Sequence, residues 1–224
     1  MANIEAFIKT AKALFGLHLV GATSGDLSVK EGDRIFITRK GAPLWDLSES
    51  DIIETGMEPG EADRNASDNL AVHRAIYRET QAAAVIHAYP SSAIALSMSI
   101  ENKIMPQDSR GQSQLRSIPV VRAKTYPQGT RADDLVKFLP PIYKSGYMIS
   151  VVKDYGSFAV GATLLDAMEL TVTAEESCRI LTVNKTFTGA EKHRTPEPER
   201  RRSAIPPSIG VMDRQPHYKR GPGR

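Results

Sequence analysis

The sequence predicts an α/β protein built around a mixed sheet. Helical and strand-like segments interleave along the 224 residues, which favours a sheet covered by helices over separate all-α and all-β parts. At least one pair of short strands is joined by a tight turn, so some neighbouring strands run antiparallel and the sheet is not purely parallel. From about Gly189 the apolar periodicity stops, which predicts one domain over residues 1–188 and an extension over residues 189–224.

The elements of the first half follow from hydrophobic spacing and turn residues. Apolar side chains at helical spacing predict a helix over residues 3–17. Two alternating runs, 26–30 and 34–38, are joined by Glu31-Gly32-Asp33 and predict a β-hairpin. The remaining elements are, in order, a loop over 43–50, a short strand over 51–53, a turn at 57–60 and a helix over 68–80 with Ser67 as its N-cap.

The second half begins with a buried strand and continues with further helices and strands. The apolar run 83–87 predicts that strand, and Pro90 predicts the start of a helix over 91–98. The polar stretch 101–117 predicts irregular structure. The later elements are, in order, a strand over 118–123, a helix over 131–139, strands over 147–152 and 157–160, and a helix over 164–187.

Composition is that of an ordinary globular protein and excludes several classes of site. No stretch approaches the roughly 20 apolar residues of a membrane span. The N-terminus lacks the residue order of a signal peptide, so a cytoplasmic protein without a membrane partner is expected. The single cysteine, Cys178, excludes an internal disulfide and a cysteine-rich metal site, and its apolar surroundings favour a core position over a reactive thiol.

The C-terminal extension carries the excess of positive charge. Residues 191–224 hold nine Lys or Arg against four acidic residues, a net charge of +5, which leaves −2 for the rest of a chain of formal charge +3. This composition predicts a solvated basic tail. Two alternatives are open: the tail binds RNA phosphates through its basic residues and Tyr218, or it contacts a protein, including a neighbouring subunit.

The most informative segment is the strand that ends in His87-Ala88-Tyr89. A strand has a period of two, so His87 and Tyr89 point to the same face, as a pair of metal ligands would. A neutral imidazole binds zinc readily, whereas a phenol with a pKa near about 10 must first lose its proton. The segment therefore has the geometry of a metal site but only part of its chemistry.

Six motifs follow one another over roughly residues 3–187: Gly25-Asp26-Leu27-Ser28, Thr38-Arg39-Lys40-Gly41, Ala66-Ser67-Asp68, Val85-Ile86-His87-Ala88-Tyr89, Tyr126-Pro127 with Gly129-Thr130, and Asp154-Tyr155-Gly156. In order and spacing they resemble elements of the class II aldolase/adducin family: Gly-Asn-x-Ser, Thr-x-x-Gly, Ser-Ser-Glu, Val-His-x-His, a motif that precedes a helix, and His-His-Gly. The resemblance implies a three-layer α/β/α fold with a largely antiparallel sheet, and a homotetramer with active sites between subunits.

In active members of that family three histidines hold zinc, a glutamate is the acid/base, and glycine and hydroxyl loops bind a substrate phosphate during carbon–carbon cleavage. When these zinc-ligand positions are transferred to this chain, the first is His87, and the second and third are Tyr89 and Tyr155 instead of histidines. Asp68 replaces the glutamate. Asp154 is expected on a strand, pointing away from the site. His73 takes a position that usually packs structurally.

Because zinc ordinarily takes at least three protein ligands, no family-type zinc and no other cofactor is expected. An oxygen-rich site of His87, Asp68 and phenols for zinc or another divalent ion is the alternative. The resemblance assigns substrate or phosphate binding to a retained set of residues: Gly25, Ser28, Thr38, Lys40, Gly41 and Ser67. For Gly25 and Gly41 the alternative is a purely conformational role in tight turns.

Two interpretations of the remaining polar residues stay open. Asp68, Tyr89 and Tyr155, with Asp108 and Arg110, form either a metal-free catalytic pocket or a hydrogen-bonded plug in an inactive site. The first function hypothesis is accordingly a non-catalytic binding or assembly component. The second is an aldehyde-lyase, or a related lyase, acting on a sugar-phosphate-like substrate.

Overall fold

The computed structural model describes residues 3–123 and 131–192, and it confirms the α/β fold. Within these ranges the strands are β1 Asp26–Glu31, β2 Arg34–Thr38, β3 Ile52–Gly56, β4 Ala84–Ala88, β5 Lys103–Ile104, β6 Ile118–Val121, β7 Ile149–Val152 and β8 Gly156–Gly161. The helices are α1 Ile4–Gly16, α2 Leu70–Glu79, α3 Ser91–Ser99, α4 Ser109–Gln114, α5 Arg131–Lys144 and α6 Leu164–Lys192.

The strands form one sheet in the order β3-β2-β1-β4-β8-β7-β6-β5. Its neighbouring strands pair antiparallel except β6 and β7, so the sheet is mixed and largely antiparallel, as predicted. Helices α1, α3 and α6 pack on one face of the sheet, and α2 and α5 pack on the other. This gives the expected three layers, with one apolar core on each side of the sheet.

The pairing of the central strands positions the candidate site. Asp26 lies opposite His87 where β1 pairs with β4, and His87 lies opposite Phe158 where β4 pairs with β8. Residues opposite each other on paired strands point to the same face. The three side chains therefore converge at one end of the sheet, on the face covered by α2.

Some predicted element bounds are wrong. Helix α2 begins at Leu70 with Asn69 as its N-cap, so Ser67 is not the cap; its hydroxyl instead accepts the Asn69 amide hydrogen in the preceding turn. The stretch 101–117 is not irregular throughout, because it contains β5 and α4. The predicted loop over 43–50 contains short 3₁₀ turns at Leu44–Asp46 and Glu49–Asp51.

Helix α5 continues beyond its predicted end because tertiary contacts override two prolines. It passes through Pro140 and Pro141 to Lys144. In its last turn the buried Tyr143 donates to the carbonyl of Phe158 at 2.8 Å and lies 2.8 Å from the Ser150 hydroxyl, so the turn is held against the sheet. Helix α6 ends at Lys192 rather than at residue 187.

The motif at 126–130 and the basic tail from 193 onward lie outside the described residues. Helices in the described part of the chain include none that is both long and apolar enough to cross a membrane.

A buried arginine joins α2 to the edge of the sheet. Both terminal nitrogens of Arg74 bind the Asp63 carboxylate, at 2.6 and 2.8 Å, and its Nε donates to the carbonyl of Gly56. These bonds from Arg74, with one from the Thr55 hydroxyl, hold the pKa of Asp63 well below its usual range despite partial burial. Asp63 therefore stabilises the folded state as a charged group.

Replacing Asp63 by asparagine tests this ion pair through its pH dependence. A lowered folded-state pKa gives stability that is present above the unfolded pKa of about 3.9 and is lost as pH falls through the folded value. We expect Asp63→Asn to lower the free energy of unfolding by about 2 kcal/mol at pH 7, with the difference from wild type shrinking between about pH 5 and pH 2. Urea unfolding at several pH values measures it.

The matched control is Asp33→Asn, which removes an acid from the exposed β1–β2 turn. It should stay within about 0.5 kcal/mol of wild type at every pH. An Asp63→Asn difference that is constant with pH would contradict the assignment.

Candidate functional site

The predicted site residues meet at a small cleft on the α2 side of the sheet, where β1 begins and β4 ends. The cleft has a volume of about 200 Å³. Its lining residues are Thr23, Ser24, Gly25, Asp26, Arg39, Lys40, Gly41, Ser67, Asp68, Asn69, His87, Tyr89 and Tyr155. Three larger surface cavities, of about 400, 480 and 520 Å³, contain none of the predicted site residues. The chemistry of the lining therefore singles out the smaller cleft.

The centre of the cleft is the buried carboxylate of Asp26. One oxygen accepts hydrogen bonds from the Ser67 hydroxyl at 2.9 Å and the Asn69 amide at 2.7 Å. Nε2 of His73 lies 2.8 Å from the other oxygen, and Nδ1 of His87 lies 3.3 Å from the first. Burial alone would raise the pKa of Asp26, but His73 and His87 hold it well below its usual range. The carboxylate is therefore charged although it is buried.

Below Asp26 a chain of polar contacts runs into the core. Nδ1 of His73 lies 2.6 Å from the Ser28 hydroxyl, which lies 2.6 Å from the Tyr77 hydroxyl. Burial raises the pKa of the Tyr77 phenol, so that group remains a neutral hydrogen-bond donor. His73 thus connects α2 to the sheet, in agreement with its expected structural role.

The imidazole of His87 is buried, and its two nitrogens have different surroundings. Nδ1 lies 3.0 Å from the Asn69 side-chain nitrogen and faces Asp26, whereas Nε2 has no hydrogen-bond partner among the described residues. Nε2 faces Gly156, where a Cβ would lie 2.9 Å from it and 2.5 Å from the carbonyl oxygen of Ala88. Glycine at 156 is therefore required for the imidazole to occupy this position.

Three aromatic rings surround the imidazole of His87. Phe158 and Tyr155 stack on it, with ring centroids at 4.5 and 4.8 Å, and Tyr89 packs at a tilt with its centroid at 4.9 Å. The Tyr155 hydroxyl donates to the Asn69 side-chain oxygen at 3.1 Å. The predicted convergence of Tyr89 and His87 is observed. Phe158 was not predicted as part of the site.

The mouth of the cleft is formed by two loops that backbone hydrogen bonds hold together. The amide of Lys40 donates to the carbonyl of Asn65 at 3.1 Å, and the amide of Ser67 donates to the carbonyl of Thr38 at 3.1 Å. Arg39 forms an isolated β-bridge with Ala66. The two sides of the mouth are therefore held at a set separation.

Charged side chains at the mouth are paired within the protein. Lys40 Nζ lies 2.9 Å from a carboxylate oxygen of Asp68, and Arg39 Nε donates to Asp51 at 2.6 Å. Burial alone would raise the pKa of Asp51, but hydrogen bonds from Ser48 and Arg39 lower it. The positive charge expected at this loop is present, but it is balanced by neighbouring acids.

The two loop glycines differ in what they contribute. Gly25 has φ +100°, and a Cβ there would lie 2.7 Å from Val20 Cγ1 and 3.0 Å from the carbonyl oxygen of His87. Gly41 has φ +64° with open space around it. Both turns need glycine for their backbone conformation, and Gly25 also lets β1 approach the end of β4 closely.

The chain matches a family model over residues 5–182, and the family is described as class II aldolase and adducin N-terminal domain. The protein belongs to the class II aldolase family. An L-fuculose phosphate aldolase of Methanocaldococcus jannaschii is 27% identical over 181 residues, 80% of this chain and 96% of that protein. A probable bifunctional methylthioribose-1-phosphate isomerase/methylthioribulose-1-phosphate dehydratase of Nocardia farcinica is 36% identical over 92 residues, 39% of this chain and 16% of that protein.

Solved structures agree with this membership. The L-fuculose-1-phosphate aldolase of Thermus thermophilus superposes with a TM-score of 0.77 at 32% identity, over 84% of this chain and 96% of that one. YgbL of Klebsiella pneumoniae, a putative aldolase/epimerase/decarboxylase, superposes with a TM-score of 0.69 at 20% identity, over 80% and 87% of the two chains. The second likeness concerns the fold alone.

Not every residue assigned by the class II aldolase resemblance lies at the cleft. Gly25, Lys40, Gly41, Ser67, Asp68, His87, Tyr89 and Tyr155 line it. Ser28 and Thr38 are buried beneath it, and the Thr38 hydroxyl accepts the amide hydrogen of Leu27. Their hydroxyls therefore serve internal contacts in this member of the class II aldolase family.

The structure corrects one further expectation, the strand position of Asp154, and describes the contacts of Asp108 and Arg110 within their own chain. Asp154 is not on a strand: it lies in the turn between β7 and β8 with φ +58°. Asp108 does not line the cleft but accepts from the amide of Gly111 as the N-cap of α4. Arg110 pairs with Glu176 of α6 at 3.2 Å. Helix α4 packs on α6, on the opposite face of the sheet from α2.

Asp26 itself was not predicted as a site residue, although a signal was present. It occupies the asparagine position of the Gly-Asn-x-Ser element that the class II aldolase family carries. An acid in place of an amide, next to the strand that holds His87, marks a change of chemistry at that position.

Replacing Asp26 tests whether this carboxylate holds the site together. We expect Asp26→Ala to lower the free energy of unfolding by about 3–5 kcal/mol, because it leaves two buried histidines, Ser67 and Asn69 without their common acceptor. Asp26→Asn keeps the shape and one acceptor oxygen and should cost about half as much. Urea unfolding at pH 7 measures both. A loss below about 1 kcal/mol for Asp26→Ala would contradict the central role of Asp26.

Proposed function

We propose that this class II aldolase family member binds a small phosphorylated, sugar-like ligand in the cleft without the family-type zinc and without cleaving it. The observation that carries the proposal is the surroundings of His87. The second and third ligand positions are Tyr89 and Tyr155, and their rings pack on the imidazole at centroid distances of 4.9 and 4.8 Å.

The available donor atoms do not fit a zinc ion. No group of three His, Cys, Asp or Glu side chains that could hold a metal occurs in residues 3–123 and 131–192. Zinc sites in proteins use at least three protein ligands, and phenols are poor candidates because they must first lose a proton. His87 Nε2 faces the backbone of Gly156 rather than a second donor. These points favour a site without zinc.

The composition of the cleft favours an anionic ligand of small size. A volume of about 200 Å³ corresponds to about seven water molecules at roughly 30 Å³ each. Glycine turns and the Lys40 ammonium are groups that commonly bind phosphate, whereas the Ser67 hydroxyl donates its hydrogen to Asp26. The names of the Methanocaldococcus jannaschii and Nocardia farcinica relatives both specify phosphorylated sugars.

The position of Asp68, which replaces the glutamate acid/base of the family, supports the proposal that the ligand is not cleaved. Asp68 is 73% exposed and pairs with Lys40 at the mouth of the cleft. General-base catalysis requires direct reach of the reacting proton, and the Asp68 carboxylate is instead in contact with the Lys40 ammonium. Asp68 is therefore proposed to act in binding.

The alternative function is an aldehyde-lyase that cleaves a carbon–carbon bond in a sugar phosphate. It is favoured by identities of 27% and 32% to proteins named as L-fuculose phosphate aldolases, over nearly their whole length. The unpartnered Nε2 of His87 is the group that could serve such chemistry.

Elemental analysis, calorimetry and an aldolase assay on one preparation distinguish the two functions. We expect less than about 0.1 zinc per chain, binding of L-fuculose 1-phosphate by isothermal titration, and no turnover of that compound. Lys40→Ala should weaken binding at least about tenfold, because it removes the cation that faces the phosphate.

The control is Lys144→Ala, which removes a cation paired with Glu79 outside the cleft and should bind as wild type does. Stoichiometric zinc that is lost in His87→Ala would overturn the metal-free site. Chelator-sensitive cleavage of L-fuculose 1-phosphate would establish the lyase instead.

We also propose a homo-oligomer, a tetramer by analogy with the family. Ile180, Val183 and Phe187 lie at helical spacing on α6 and are exposed, Phe187 to 69%. Exposed apolar stripes of this kind favour protein–protein contact. The RNA or protein partner predicted for the basic tail remains a prediction on residues outside the described ranges.

Light scattering on full-length protein tests the assembly. Val183→Ser with Phe187→Ser should lower the measured mass at micromolar concentration, because it removes much of the exposed apolar stripe. Phe138→Ser, at an exposed apolar residue of α5, is the matched control and should leave the mass unchanged. A monomeric wild type would overturn the proposal.

A further inference from the structure

The two cations at the mouth of the cleft differ in how firmly they are held. Arg39 binds Asp51, whose own carboxylate accepts from both the amide and the hydroxyl of Ser48. The Asp51 side chain is 7% exposed, so this acid is fixed in place and cannot leave the guanidinium. A second nitrogen of the Arg39 guanidinium donates to the carbonyl of Lys40. The Arg39 guanidinium is therefore held in place by contacts within the protein.

Lys40 is held by a partner that is free to move. Its side chain is 67% exposed and that of Asp68 is 73% exposed. Exposed ion pairs of this kind contribute little to stability and open readily. Asp68 belongs to the same lining as Lys40, so the ammonium that would bind a ligand phosphate is occupied by a carboxylate of the cleft itself.

The backbone around this pair does not need to move for it to open. The loops that carry Lys40 and Asp68 are joined by the hydrogen bonds of Lys40 to Asn65 and of Ser67 to Thr38. The side chains of Ser67 and Asn69, on either side of Asp68, are directed to Asp26. Rotation of the Asp68 side chain alone therefore exposes Lys40 to a ligand.

We propose that Asp68 is an internal competitor for the phosphate group and so determines which ligands the cleft accepts. The proposal rests on the function proposed above. In the free protein Asp68 neutralises Lys40, and a phosphate binds only when it displaces this carboxylate. The displaced carboxylate stays near the bound dianion and repels it. The cleft thus binds a doubly charged ligand less tightly than it would without the Asp68 charge, whereas the binding of a neutral sugar is unaffected.

The charge balance of the whole lining supports this assignment. Arg39 is neutralised by Asp51, and the buried Asp26 lies beside His73 and His87. Among the described lining residues, Lys40 is consequently the cation that is available to bind a ligand. Asp68 is the acid that pairs with it and limits this availability. Removing the Asp68 charge while keeping its size should convert the mouth into a net positive site.

Isothermal titration of Asp68→Asn with L-fuculose 1-phosphate tests the proposal. We expect the dissociation constant to fall about three- to tenfold relative to wild type, since a competing ion pair and a nearby like charge are both removed. The gain should shrink at high ionic strength, because exposed charges are screened. Binding of unphosphorylated L-fuculose, measured by competition, should not change.

Glu61→Gln is the matched control, because Glu61 forms a 2.9 Å exposed ion pair with Arg64 outside the cleft lining. It should bind the phosphate within about twofold of wild type. Tighter binding by Asp68→Asn, or binding by that variant alone, supports the proposal. Equal or weaker binding by Asp68→Asn overturns it and leaves the proposed function standing if wild type binds. Binding by neither protein overturns both.

Discussion

The carboxylate of Asp26 has almost no access to water, and a buried charge of this kind is tolerated only when donors surround it. The donors come from three places: Ser67 and Asn69 in the turn before α2, His73 within α2, and His87 at the end of β4. The Asp26 carboxylate thus connects a helix, a turn and two strands. The orientation of the His87 ring, and with it the shape of the cleft, depends on this group remaining charged.

In the metal-free site proposed above, His87 lies in a packing environment within the family's fold. The phenol rings of Tyr89 and Tyr155, at positions where the family resemblance implies coordinating nitrogens, pack on its imidazole. Tyr155 retains a polar role, because its hydroxyl donates to Asn69, which in turn binds Asp26. The polar network and the aromatic cluster therefore share residues, and neither can be altered alone.

Local patterns predicted most of the fold, whereas the family resemblance assigned most of the candidate site residues. The β1–β2 hairpin, the buried strand β4 and the shared face of His87 and Tyr89 follow from periodicity and turn residues, which act over a few positions. The contact of Asp26 with His87 spans 61 residues and is set by the register of β1 against β4, which no local pattern encodes. The polar segment that holds α4 has no hydrophobic period, so neither this short helix nor the cap formed by Asp108 could be predicted.

The backbone bonds that join the two loops at the mouth have a consequence for the speed of ligand exchange. Side-chain rotations at exposed positions take picoseconds to nanoseconds, whereas loop opening takes nanoseconds to microseconds or longer. Separation of Lys40 and Asp68 by side-chain rotation, as proposed above, adds no slow conformational step to entry into the cleft. A ligand should arrive at a rate set by diffusion, and its residence time should be set by the strength of its contacts rather than by the closing of a lid.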